Sequence, residues 1–165
     1  MPYNELRRLK LFLVDAWAES VMPVDPATDR LVPIDYAWPG PYQKPTHVWF
    51  YNGRVESDYG PMGAGTKRRD QTVTFNAVIE CTRVGKTVDA EGRNVLQQQA
   101  DEMVEMIAGR IDQWVAQNPT LGQTVAGMVP VDFARFQSFE LAGGPTTNGV
   151  GTTGLVQISY RTRPK

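Results

Sequence analysis

Hydrophobic and polar positions follow two different periods along this chain, and each predicts its own element. Between Asn4 and Ser20, Leu6, Leu9, Leu13, Ala16 and Trp17 recur at helical spacing, with Arg7, Arg8 and Lys10 on the other face. This predicts an amphipathic helix over 4–20, N-capped by Asn4 and ended before Pro23. From Gln71 to Thr82 the period is two: Val73, Phe75, Ala77, Ile79 and Cys81 point one way, Thr72, Thr74, Asn76, Glu80 and Thr82 the other. A long strand with one buried face is expected there. Ahead of it, the β-prone runs Thr46–Tyr51 and Arg54–Tyr59 flank Asn52-Gly53, two residues that tolerate positive φ, which predicts a hairpin within 46–82. Helical spacing returns over 94–117. Leu96, Ala100, Met103, Val104, Ile107, Ile111, Trp114 and Val115 form a stripe opposite Gln98, Asp101, Glu102, Glu105 and Asp112. Asn118-Pro119 stops it. Closing strands are expected over 131–163: Val131–Leu141, carrying Phe133, Phe136 and Phe139, and Thr152–Arg163, carrying Val156, Ile158 and Tyr160.

Three segments interrupt this pattern. Residues 23–45 hold Pro23, Pro26, Pro33, Pro39, Pro41 and Pro45, which oppose both helix and central strand. Leu31, Val32, Ile34, Tyr36, Trp38 and Tyr42 make this arm too apolar for a solvated linker, so it should lie against its own domain or a neighbouring copy. Gly60–Asp70 and Gly143–Gly151 read as glycine-rich loops. The sum is a single α+β domain, a mixed or antiparallel sheet with two main helices packed on one face.

Composition narrows the function. In 165 residues, 17 Lys+Arg against 18 Asp+Glu leave a formal net charge of −1. Wrapping a nucleic acid takes an excess of cations that this chain lacks, so any phosphate contact must be local. With one Cys (Cys81) and one His (His47), neither an internal disulfide nor a Cys/His zinc site can form. The polar first ten residues and the lack of a long apolar run read against a signal peptide, a membrane span or a membrane partner, and favour a soluble, cytoplasmic setting.

Catalytic patterns fail on inspection. In GPMGAGTKRRD, Thr66 separates Gly65 from Lys67, Arg68 stands where a phosphate loop needs a hydroxyl, and a strand rather than a helix follows. His47 has no nucleophile on a tight turn to serve, and Cys81 closes the apolar face of a strand. The acids of the long helix have the spacing of a solvated face and no Glu-x-x-His partner. No enzyme, cofactor or metal is expected. Lys67-Arg68-Arg69, on its glycine tether, is the sharpest cluster, and its complement is the acidic side of the long helix, at Asp101, Glu102 and Glu105. These residues, with Trp38 and Pro39 of the arm and Thr146 and Asn148 of the last glycine-rich loop, are the candidates for contact with another subunit, a tube or a DNA path. Long loops in so short a chain suit a subunit that interlocks with neighbours.

The chain resembles the tail terminator (minor tail, tail-completion) proteins of long-tailed siphophages, especially those of actinobacterial hosts. The matching stretches are the opening helix LRRLKLFLVDAWAES, the arm with YQKPTHVWFY, the strand TVTFNAVIECTRVG running on to NVLQQQADEMVEMIAGRIDQWV, and the ending FELAGGPTTNGVGTTGLVQISYRTR. The arm 23–45 is longer than the family's usual connector. The resemblance implies a virion protein at the head-proximal end of the tail. Six copies would form a homo-oligomeric ring that caps the major tail tube protein, ends its polymerisation and offers a surface to the head-completion or neck protein. Genomic DNA would meet it only in passage through the channel. The alternatives are a head-completion (neck) protein and, from a different class, a small cellular ligand-binding domain.

Overall fold

The computed structural model describes residues 3–40, 45–59, 69–89, 91, 94–121 and 131–162. The first helical stripe forms α1 (Tyr3–Ser20), which starts one residue early and so takes Asn4 into its first turn instead of leaving it as the cap. Leu9, Leu13 and Trp17 are fully buried. The second stripe forms α2 (Val95–Gln117), with Ala100, Met103, Val104, Ile107, Ala108, Ile111 and Val115 buried. Its C-terminus is closed by Asn118, whose Nδ2 donates to the Trp114 carbonyl at 2.9 Å.

The proline-rich arm is more structured than an extended connector. It makes a two-residue antiparallel ribbon of β1 (Val24–Asp25) and β2 (Arg30–Leu31), then β3 (Ile34–Asp35), which pairs parallel to β4 (Thr46–Tyr59). Proline lacks the amide but keeps the acceptor, and the arm uses that: the carbonyls of Pro23, Pro33 and Pro45 accept from Val32, Val48 and Thr82 at 2.9, 3.0 and 2.6 Å. The arm thus lies against its own domain, burying Val32 and Ile34.

β4 is one continuous strand, and this overturns the hairpin at Asn52-Gly53. Its partner β5 (Arg69–Val84) is long enough to pair with residues on both sides of that dipeptide, from Thr46↔Cys81 to Tyr59↔Arg69. Asn52-Gly53 instead makes a bulge, where the register shifts between Phe50 and Gly53. The bulge changes the parity of the strand. Val48 and Phe50 face the helices before it and Gly53 and Val55 after it, so Arg54 is kept out of the core. Asn52 and Asn76 hydrogen-bond side chain to side chain across it.

β6 (Val131–Pro145) and β7 (Gly149–Thr162) complete a five-stranded sheet of order β3-β4-β5-β7-β6. The segment Gly143–Gly151, expected as a loop, is largely strand: Gly143 and Gly144 pair with Thr152 and Gly151, and the turn shrinks to 146–148. Glycine costs strand stability, but at Gly143 and Gly154 it makes room for close packing. An added Cβ at Gly143 would lie 2.5 Å from Gln97 Nε2, and one at Gly154 would lie 2.8 Å from the Phe139 ring, beneath Val104 of α2.

Both helices cover one face of the sheet. Trp17 of α1 meets Trp114 of α2 edge-on at 5.9 Å and Phe50 of β4 at 5.4 Å. Phe75 and Ile158 lie fully buried beneath them. Among the described residues the other face carries no helix. Its central rows are Thr72, Thr74 and Asn76 of β5 beside Arg161, Ser159 and Gln157 of β7, with Val78 next to Trp49 further along.

Candidate functional site

The sequence-derived candidates do not converge on one place. Lys67 and Arg68 lie outside the described residues. Arg69 is not loop but the first residue of β5, opposite Tyr59 at one end of the sheet. Thr146 and Asn148 are exposed in the β6–β7 turn at the other end, where Gly85 N–H donates to the Asn148 carbonyl at 3.0 Å and Thr146 N–H to the Gly149 carbonyl at 2.8 Å. Trp38, 62% exposed, and half-buried Pro39 follow β3.

The acidic face of α2 divides. Glu102 and Glu105 are exposed as expected, but Asp101 is half-buried and turned toward the sheet. Its Oδ1 accepts from Thr152 Oγ1 at 2.7 Å and from Gln97 Nε2 at 3.0 Å. The reason is the pair Gly143–Thr152: with no side chain at Gly143, the first turns of α2 approach the hairpin closely enough for a carboxylate to reach a strand hydroxyl. This knot borders a cleft of about 500 Å³ lined by Thr87, Asn94 and Gly144 among others.

His47 and Cys81 cannot act as a pair. Thr46 sits opposite Cys81 and His47 opposite Glu80, so the two side chains point to opposite faces of the sheet. His47 is buried on the helix-free face, stacked on Trp49 at 5.0 Å, with Nε2 3.3 Å from Glu80 Oε2. Cys81 is fully buried, and that burial pushes its thiol above the ordinary value. Among the described residues no three His, Cys, Asp or Glu side chains cluster in a way that could hold a metal ion.

Two features escaped the sequence. The first is a buried clasp. Asp25, 2% exposed, accepts from Arg83 Nη2 at 2.9 Å, Thr46 Oγ1 at 2.6 Å and the Ala27 amide at 2.9 Å. It ties the arm to β4 and β5, and since its partners lie 21 and 58 positions away, no local pattern signals it. The second is a groove of about 310 Å³ between α2 and β6, floored by Ala108, Gly109, Phe136 and Phe139 and rimmed by Glu105 and Asp112. The stripe of α2 was legible, but which strand flanks it was not.

No known protein family and no curated protein matches this chain.

Proposed function

We propose that this protein is a ring-forming structural subunit of a phage virion, the tail terminator that caps the tail tube and presents a surface for head attachment. Support comes from the resemblance in sequence and, above all, from one structural observation. Four long strands form an antiparallel sheet whose one face is sealed by helices. The other face is lined in its central rows by Thr72, Thr74, Asn76, Gln157 and Ser159, with Arg161 at one end of the rows and Arg54 and Arg135 on the strands beside them. A channel that passes DNA needs a polar wall, and these central rows supply one. Head-to-tail association of identical subunits, one patch against a different patch, generates a ring when the rotation closes. A cap must satisfy the open end of the tube without templating another tube subunit, which is specificity by mismatch.

Electron microscopy of particles made without this gene tests the proposal. Overlong tails unattached to filled heads are expected, since loss of the cap lets the tube keep growing. Tails of normal length beside leaking or tailless heads would reassign the protein to the neck. Normal infectious particles would reject both and return the chain to the ligand-binding class.

A further inference from the structure

We infer that the free edge of β6, with the acidic flank of α2 beside it, receives the free edge of β4 and the first turns of α1 from a second copy of this chain. The inference rests on the self-assembly in the function proposed above and names its interface.

An exposed strand edge is a row of unpaired amides and carbonyls, and it either pairs or is protected. In this sheet the outer sides of β4 and β6 are each covered near one end. β3 pairs with β4 at Val48 and Trp49. Pro119 covers the start of β6 by accepting from the Ala134 amide at 2.7 Å. Among the described residues no backbone bond covers β4 from Gly53 to Tyr59 or β6 from Phe136 to Pro145 on their outer sides. On β7, Tyr160, Ile158, Val156 and Gly154 alternate, so their partners Ala134, Phe136, Phe139 and Leu141 all turn their amides outward.

Parity selects the partner. β4, β5, β7 and β6 are successively antiparallel, so β4 and β6 run in opposite directions. With an even number of long strands, a second copy placed beside the first with its helices on the same side brings β4 antiparallel to β6. An odd number would force a parallel pair. The free stretches lie at opposite ends of the sheet, so pairing them displaces each copy along the strands by roughly six residues, or about 20 Å. Such a stagger is what closing a sheet on itself requires.

Charge and shape match on the helix-covered side. Asp101, Glu105 and Asp112 recur along the flank of α2 that faces β6, above the apolar floor of the groove. On α1, Leu6 lies over Gly53 of β4, and Arg7, Arg8 and Leu11 are exposed on the adjoining turns, Leu11 to 48%. Neither arginine, and neither Glu105 nor Asp112, makes an ion pair among the described residues. The basic and apolar patch of one copy therefore fits the acidic-rimmed apolar groove of the next. Exposed pairs add little affinity singly but orient the partners.

Sedimentation velocity over a wide concentration series tests this. The wild-type chain should associate. Arg7→Glu with Arg8→Glu, or Glu105→Arg with Asp112→Arg, should each weaken association about three- to tenfold. The four changes together should restore much of it, which a merely misfolded variant would not do. Leu141→Pro, checked for native circular dichroism, should also weaken association by removing one outward amide. Association unchanged in every variant overturns this interface and leaves the ring intact as a proposal. A wild-type chain monomeric throughout overturns the interface, and the tail-length phenotype then decides the function separately.

Discussion

Asp25 is the residue on which the arm depends. A carboxylate removed from water at this depth is tolerated because three donors and the Arg83 charge meet it. Asp25→Ala leaves that guanidinium, itself 12% exposed, without its counter-charge, and should cost about 3–5 kcal/mol in urea unfolding. Asp25→Ala with Arg83→Met should recover part of the loss, since an apolar pair strands no charge. Cys81 lies beside the same clasp, its Sγ 3.4 Å from Thr46 Oγ1. Its raised pKa has a definite sign. The folded protein holds the thiol proton where the unfolded chain releases it, so this contribution to stability is present below about pH 9 and lost as pH rises further. Cys81→Val should flatten the fall in stability between neutral and strongly alkaline pH. In the native wild type, the thiol should react with a disulfide reagent only as fast as the chain opens. The sequence placed Cys81 on a buried strand face. It could not place Asp25 beside it, because that contact is made by tertiary folding of a segment with no periodicity.

Elements were legible wherever one period held throughout. α1, α2 and β5 follow unbroken stripes, and the structure repeats them with ends moved by one or two residues. Two failures fall where a bulge resets the period, and two others, the strands of the proline arm and the paired glycines of 143–151, fall where no period exists to read. Asn52-Gly53 satisfies the chemistry of a two-residue turn, yet neither residue takes a positive φ here, and the length of β5 decides for a bulge instead. Phe133, Phe136 and Phe139 are spaced by three, which is not the period of a strand. Regular alternation puts Phe133 and Phe136 on opposite faces, and the register shift between Phe136 and Ser138 brings Phe139 back to the side of Phe136: these two face α2, while Phe133 is 52% exposed on the other side. Deleting Asn52 would remove the extra residue of β4 and leave a regular strand in which Gly53 and Val55 still face the helices and Arg54 still faces away. The expected outcome is retained cooperative thermal unfolding, and Asn52→Ala, which loses only the Asn76 contact, should shift stability by about 1 kcal/mol. At the helix interface, Trp114→Ala opens a cavity beside Trp17 and should cost about 3–5 kcal/mol, read by chemical denaturation.

At the scale of the whole molecule, the core and the assembly surfaces are separable, and this makes the role of the cationic loop testable apart from folding. The helices, the inner sheet face and the Asp25 clasp supply the buried contacts. Arg69 is the first residue of β5, paired with Tyr59 at the end of the sheet away from the β6–β7 turn. Reversing Lys67, Arg68 and Arg69 to Glu should leave the melting temperature of the isolated chain nearly unchanged, since three consecutive cations on a glycine-rich stretch read as a solvated cluster and substitutions in such a cluster stay within about 0.5 kcal/mol. In phage, the same triple change should impair assembly if the loop meets a second subunit or the passing DNA, because repulsion between like charges repeats at every copy of a ring. Raising ionic strength during assembly should relieve the defect in part, as screening acts on exposed charges within about 10 Å. Normal particles from the reversed chain would show that this loop touches neither partner. Contact between copies would then rest on the β4 and β6 edges and their helical flanks, which the substitution does not alter.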